Sequence, residues 1–363
     1  MSLPFAPGPE PASFGHHFLV GLQKSPRLTE RDKRLLGALR PAGVVLFREN
    51  FAHGLPYGEW LELHARQLVE VRECVEREEL IVAIDHEGGA VLRAPEPITP
   101  FAAAADWAPR AAAVGRAMGR ELRSLGVNVD FAPVVDVDSN PDNPVIGRRA
   151  FGSDPATVTR AAAAFLDGLE GEGVCGCPKH FPGHGDTRAD SHHELPVVDH
   201  PPEVLAVREL APFAALVGRG VRLVMTAHVL FPRWDPEWPA TLSETIVGGC
   251  LRGELGFAGL VVTDDVGMRA VAGTFRRPGT SARALVAGCD LITICAHLAD
   301  TRRALDLAAD LARSWRAGDL PTSVLERSHA RIARTLAELP RHSVTELPAA
   351  VLAGHRRLAP LVT

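Results

Sequence analysis

The chain has no excess of positive charge, no long apolar run and no second cluster of cysteines. Each absence closes off a class of function. Its 363 residues carry a formal charge of -5, with a pI of about 6.3. Lysine and arginine form no basic stripe of the kind that tracks a phosphate backbone, and no polybasic cluster that would hold an anionic membrane. No apolar stretch reaches the ~18 residues needed to span a bilayer. The N-terminal segment MSLPFAPGPEPASFGHH lacks a basic n-region and an apolar h-region, so it does not read as a secretory signal. No G-x-G-x-x-G follows the first apolar run, which speaks against a dinucleotide-binding domain. The six cysteines, Cys74, Cys175, Cys177, Cys250, Cys289 and Cys295, lie mostly in apolar runs and read as buried free thiols. Cys175 and Cys177 form a C-x-C, but no second cluster stands at a spacing suited to metal. A soluble, cytoplasmic protein is expected, with no nucleic-acid or membrane partner and no metal or cofactor.

What the sequence does contain is a regular alternation. Hydrophobic residues make up 46% of the chain, enough for a large core. Short β-branched runs at 18–22, 43–47, 80–84, 127–137, 174–177, 221–226, 260–263 and 290–295 read as strands. Amphipathic stretches such as 59–79, 110–124, 156–170 and 203–217 lie between them and read as helices. Eight such repeats predict a parallel sheet closed into a (β/α)8 barrel of the TIM type. Polar residues follow strand after strand: Arg48 and Asn50, Asp85, Asp136, Lys179 and His180, His228, Asp264. In a barrel these positions converge on one face, where barrel active sites form. Residues 304–339 read as a helical tail, and the pattern weakens after Pro340. One domain is expected over 1–363, with its core at about 15–340.

The densest chemistry lies between Lys179 and Pro196, KHFPGHGDTRADSHHELP, directly after the fifth strand. No packed core needs so many titratable groups, and Pro182, Gly183 and Gly185 mark the segment as loop. A second focus is Thr263-Asp264-Asp265, at the end of the seventh strand. Neighbouring strand residues point to opposite faces, so one aspartate of the pair should face the lumen, and periodicity leaves open which. The other would cap the next helix.

The run Lys179 to Gly185, followed by Asp190-Ser191-His192, resembles the signature K-H-F-P-G-H-G…D-S-H of the β-N-acetylglucosaminidases of glycoside hydrolase family 3. The resemblance covers roughly residues 15–340 and is to the family's single-domain members, which implies a monomer. It implies a retaining glycosidase acting on a carbohydrate, with removal of terminal β-N-acetylglucosamine from glycosides such as peptidoglycan fragments in cell-wall recycling. Thr263-Asp264-Asp265 is similar to the family's S/T-D-D motif, which implies Asp264 as nucleophile. By the same resemblance His192 is the acid/base and Asp190 its orienting partner, with His193 as the rival. A histidine titrates near neutral pH, so it can protonate a leaving oxygen and then deprotonate water. IDHEGGAVLR is similar to D-x-E-G-G-R-V-x-R, which implies sugar binding by Asp85 and Arg93. Ala90 stands in place of the first arginine and removes an ion-pair partner expected for Glu87. The block ending in IGRRAF implies that Arg149 binds the sugar and that Arg148 fills a variable slot. Lys179 and His180 match a pair that holds ring hydroxyls, and Asp136 and His228 are read as supporting. Where the family often has D-D-L-S-M-E-G, this chain has Asp264-Asp265-Val266-Gly267-Met268-Arg269-Ala270.

Three other readings compete. A phosphorylase would use the same residues, because a histidine donor does not repel an incoming phosphate as a carboxylate would. A metal-dependent barrel hydrolase could use His184, Asp186, Asp190, His192 and His193, but the expected H-x-H on the first strand is missing. A non-catalytic sugar-binding barrel would need the nucleophile or the donor to be lost, and both are present.

Overall fold

The computed structural model describes residues 7, 8, 10–188, 195–295, 300, 302–358, 360 and 362. Eight parallel strands form one sheet: β1 Phe18–Gly21, β2 Gly43–Leu46, β3 Ile81–Ile84, β4 Val129–Asp130, β5 Cys175–Gly176, β6 Leu223–Thr226, β7 Leu260–Asp265 and β8 Leu291–Ile294. Their order is β5-β4-β3-β2-β1-β8-β7-β6, so the first and last strands pair and only β5 and β6 remain to be joined. The residues after β5 join them. The Met225 amide donates to Pro178 O at 3.0 Å, Phe181 N to Met225 O at 2.8 Å and Ala227 N to Phe181 O at 2.7 Å. The expected (β/α)8 barrel is therefore present, and the Lys179 segment is itself the closing seam.

Both faces of each strand are buried, as a parallel sheet under helices requires. Leu19, Val45, Ile81, Val129, Leu223 and Leu260 fill the lumen. The alternate residues Val20, Val44, Val82, Val224 and Val261 pack outward against the helices. Ile332, Leu336 and Leu339 plug the end where the strands begin. Side-chain direction thus follows strand period two, with core on either side.

Helix ends obey local chemistry. Thr29 and Asp32 form a capping box at the start of the helix Glu30–Leu39. Asp154 accepts from the Thr157 amide, with Pro155 leading the helix Pro155–Gly171. Gly318, in the left-handed region at φ 85°, stops the helix Arg303–Ala317. Three expected elements differ in extent. The stretch 203–217 is two helices, Pro202–Val207 and Leu210–Gly218. Pro212 has no amide to donate, so the chain restarts at Leu210 and places the proline in a first turn. Of 127–137 only Val129–Asp130 is continuous strand, and beyond Pro133, which cannot donate to a neighbour, an isolated bridge joins Val134 to Lys179. The tail is two helices, Arg303–Ala317 and Thr322–Glu338, and a further helix, Ala349–His355, lies beyond Pro340. Among the described residues no helix is long and apolar enough to cross a membrane. All six cysteines are free thiols, and all but Cys74 are buried.

Candidate active site

The carboxyl ends of the strands open into one pocket, and six of the predicted residues line it: Asp85, Arg93, Arg149, Lys179, His180 and Asp264. Phe47, Phe131 and Met225 supply apolar wall. The organising residue is Glu87, which sequence reasoning treated only as an ion-pair partner. Its carboxylate is buried and takes a bidentate pair from Arg149, with Nε to Oε2 and Nη2 to Oε1 both at 2.8 Å. Lys179 Nζ adds a third contact at 2.6 Å and reaches Asp85 Oδ1 at 2.7 Å. Burial pushes the Glu87 carboxyl up, but Arg149 and Lys179 bring it far below the usual range. Burial alone would lower the Lys179 pKa, yet Asp85 and Glu87 outweigh it and hold the ammonium charged. The partner lost at Ala90 is thus covered from the segments that follow β4 and β5. Arg148 points away and pairs with Asp106 at the surface, so the pocket arginine is Arg149, as expected.

The loop after β5 is built around Asp136. This buried carboxylate accepts from His180 N at 3.2 Å and His184 N at 2.7 Å, and its Oδ2 pairs with His180 Nδ1 at 2.7 Å. Asp136 therefore fixes the His180 ring and the turn that follows. Gly185 must be glycine here, since a Cβ would stand 1.7 Å from Val137 O. His184 also lines the pocket. Burial, followed by the neighbouring His180, lowers its pKa to about 4 and keeps it neutral.

At the end of β7 the structure corrects the expectation that one aspartate of the pair faces the lumen. Both line the pocket. A bulge is the reason. Val262 pairs with Leu291, but Asp265 pairs with Thr293, so β7 carries one more residue than β8 over that interval. Asp264 continues the inward alternation of Leu260 and Val262, and the extra residue turns Asp265 inward as well. Asp265 therefore is not a helix cap. Burial raises the Asp264 pKa, but His180, His228, the Asp265 amide and Lys179 outweigh it and bring the carboxyl below its ordinary value. A carboxylate held ionised at the end of a rigid strand is poised to attack an electrophilic carbon. His228 lies below, with Nδ1 on Thr241 Oγ1 at 2.8 Å and Nε2 donating to Asp265 O at 3.2 Å.

Arg93 lies over the Phe47 ring, 5.4 Å from its centroid. The expected acid/base pair, His192 and Asp190, lies outside the described residues, as does His193. The described chain on either side is anchored. Asn143 Nδ2 donates to His184 O at 2.8 Å and to Gly185 O at 3.0 Å, and Val198 N donates to Leu230 O at 2.9 Å. Asp186 pairs with His200 and, at 2.7 Å, with Arg208. Among the described residues no group of three or more His, Cys, Asp or Glu side chains is placed to hold a metal ion.

The family description that matches the chain is the glycosyl hydrolase family 3 N-terminal domain, over residues 21–335. Beta-hexosaminidase A of Pseudoalteromonas piscicida is 35% identical over 343 residues, covering 87% of this chain and 57% of that longer protein. The beta-hexosaminidase of Idiomarina loihiensis is 37% identical over 295 residues, covering 78% of this chain and 84% of its own. Among solved structures, a glycoside hydrolase family 3 beta-N-acetylglucosaminidase from Paenibacillus sp. str. FPU-7 superposes with a TM-score of 0.86 at 33% identity. That match covers 97% of this chain and 68% of that one.

Proposed function

The chain belongs to glycosyl hydrolase family 3, and from that premise we propose that it is a retaining β-N-acetylhexosaminidase that releases terminal N-acetylglucosamine. The observation that carries this reading is Asp264, an inward carboxylate held ionised in the same pocket as Asp85, Arg149, Lys179 and His180. Retention needs one carboxylate to attack the anomeric carbon and a separate group to protonate the leaving oxygen. Asp264 attacks, the glycosidic C–O bond breaks, and His192 gives its proton to the departing oxygen. In the second step His192 takes a proton from water, whose oxygen attacks the same carbon and frees Asp264. Asp190 orients the imidazole and stabilises its charged form. Asp85, Lys179, His180, Arg149 and Arg93 hold the sugar, where hydrogen bonds to charged groups contribute about 1.5–3 kcal/mol each. One barrel is the catalytic unit, and its substrates are N-acetylglucosaminides such as peptidoglycan fragments met in the cytoplasm.

The dyad supplies the test. A nitrophenolate leaves without much help, whereas a sugar alkoxide must be protonated. His192→Ala should therefore lose ~10²–10⁴-fold more on a disaccharide than on an aryl glycoside in the first step. Asp190→Ala should follow the same pattern more mildly, and His193→Ala should not. Equal losses on both substrates for His192→Ala would remove it as the donor. Product analysis with and without phosphate in the same assays separates hydrolysis from phosphorolysis. A sugar 1-phosphate as main product would make the enzyme a phosphorylase.

A further inference from the structure

We infer that Asp265 and Thr293 form a hydrogen-bonding wall beside Asp264 that receives a neutral polar substituent of the bound sugar, one that accepts from Asp265 and donates to Thr293. The two residues are register partners on β7 and β8 and line the same pocket. Asp265 is 6% exposed and Thr293 is 3% exposed. Asp265 Oδ1 accepts from Gly267 N at 2.8 Å and from Cys295 N at 3.3 Å. Among the described residues neither its Oδ2 nor the Thr293 hydroxyl has a hydrogen-bond partner. Buried polar atoms are almost always paired, so two orphans side by side on a pocket wall call for a group that satisfies both. An amide does so, its carbonyl accepting and its N–H donating.

The charge state fits a donor. The groups facing Asp265 are Asp264 on its own strand, His228 below, Cys295 at the end of β8 and Arg303 on the helix after it. Burial, and then the negative charge of Asp264, push the Asp265 carboxyl up to about 7 against the pull of the Gly267 and Cys295 amides. Below neutral pH the side chain therefore carries its proton and can donate. Above that it becomes an acceptor facing an acceptor, and binding of the substituent is lost.

This inference rests on the glycosidase reading, and its test keeps the two apart. KM and kcat for an aryl N-acetylglucosaminide are measured from pH 5 to 9 for the wild type and for Asp265→Asn, Asp265→Ala and Thr293→Val. Loss of one hydrogen bond predicts a rise in KM of ~10-fold for Asp265→Ala and for Thr293→Val. Asp265→Asn keeps a donor and should match the wild type at low pH. It should also lack the rise in KM that the wild type shows above neutrality. The asparagine and valine variants are near-isosteric, so the result does not depend on the alanine variant folding. A wild-type KM in Asp265→Ala and Thr293→Val overturns the inference, as does an unchanged alkaline rise in Asp265→Asn. A wild-type chain that neither cleaves nor binds N-acetylglucosaminides overturns both readings.

Discussion

Glu87 and Asp290 are buried carboxylates, each held between two cations, at opposite ends of the barrel. Asp290 stands where β8 begins. Its Oδ2 takes Arg252 at 2.6 Å and the Val261 amide at 2.9 Å, and its Oδ1 takes Arg331 at 2.8 Å. Those contacts tie β7 and β8 to the helices Thr245–Glu254 and Thr322–Glu338, and they end in protein. Glu87 stands where β3 ends. Its cations are Arg149 and Lys179, and Lys179 continues to Asp85, which opens on the pocket. The motif is the same and the destination differs. At one end ion pairing locks elements together. At the other it pre-sets charges that a ligand would meet, which is the division of labour expected between the two faces of such barrels.

The largest effect expected separates chemistry from fold at the pocket end. Asp264→Asn should cut turnover by ~10³-fold or more, as loss of a nucleophile does. It should leave the denaturation midpoint near that of the wild type. A fluorinated glycoside should label Asp264 covalently. Labelling at Asp265 would reassign the nucleophile.

The comparison itself is broken by neutralising each carboxylate in turn. Glu87→Gln leaves Arg149 and Lys179 short of a counter-charge in a buried site, and Asp290→Asn does the same to Arg252 and Arg331. Each should cost about 3–5 kcal/mol of stability in urea unfolding. Only Glu87→Gln should also raise KM. A raised KM in Asp290→Asn, with Glu87→Gln unchanged, would invert the assignment of the two ends.

The smallest effect per residue and pH unit comes from histidines shared by both ends. Burial is the main cause that lowers His17 and His64 to about 4, as it does His86 and His184 beside the pocket. Well above pH 6.5 each is neutral whether folded or not. Between 6.5 and 4 the unfolded chain takes up protons that the folded chain refuses, so stability falls as pH falls through that window. Each such group contributes roughly 1.4 kcal/mol per pH unit. The urea midpoint should drop steadily from pH 6.5 to 4.5, and His64→Gln should flatten that slope. A flat profile in the wild type would show that these rings protonate in place.

Much of the fold was legible because its signals are local. Each of the eight β-branched runs holds a strand, since a run buried on both faces must be apolar throughout. The Lys179 loop and Asp85 could be located because each follows directly on a strand, and Asp264 because it lies at a strand's end, whereas Arg149, far beyond β4, was placed by the family resemblance. Glu87 was underrated because its value comes from Arg149 and Lys179, which are distant in sequence. His184 was weighed only as a metal ligand, because its neutrality depends on burial that spacing does not reveal. The helix stretch 203–217 was drawn as one because period 3.6 runs through it, although Pro212 stands inside as the breaker.

The sequence by itself determined the barrel, the face on which polar residues gather and the family resemblance, because period two, strand count and strand-end chemistry are properties of short windows. Only the tertiary structure decided that Asp264 and Asp265 both face the pocket. That outcome depends on a register shift between β7 and β8, and register is a relation between two strands that neither one carries alone. The charge states followed in the same way. Asp264 is kept ionised by His180 and His228, and Asp265 is pushed the other way by burial and by Asp264. Adjacent letters of the same kind acquired opposite chemistry because field and solvent exclusion are set by neighbours in space.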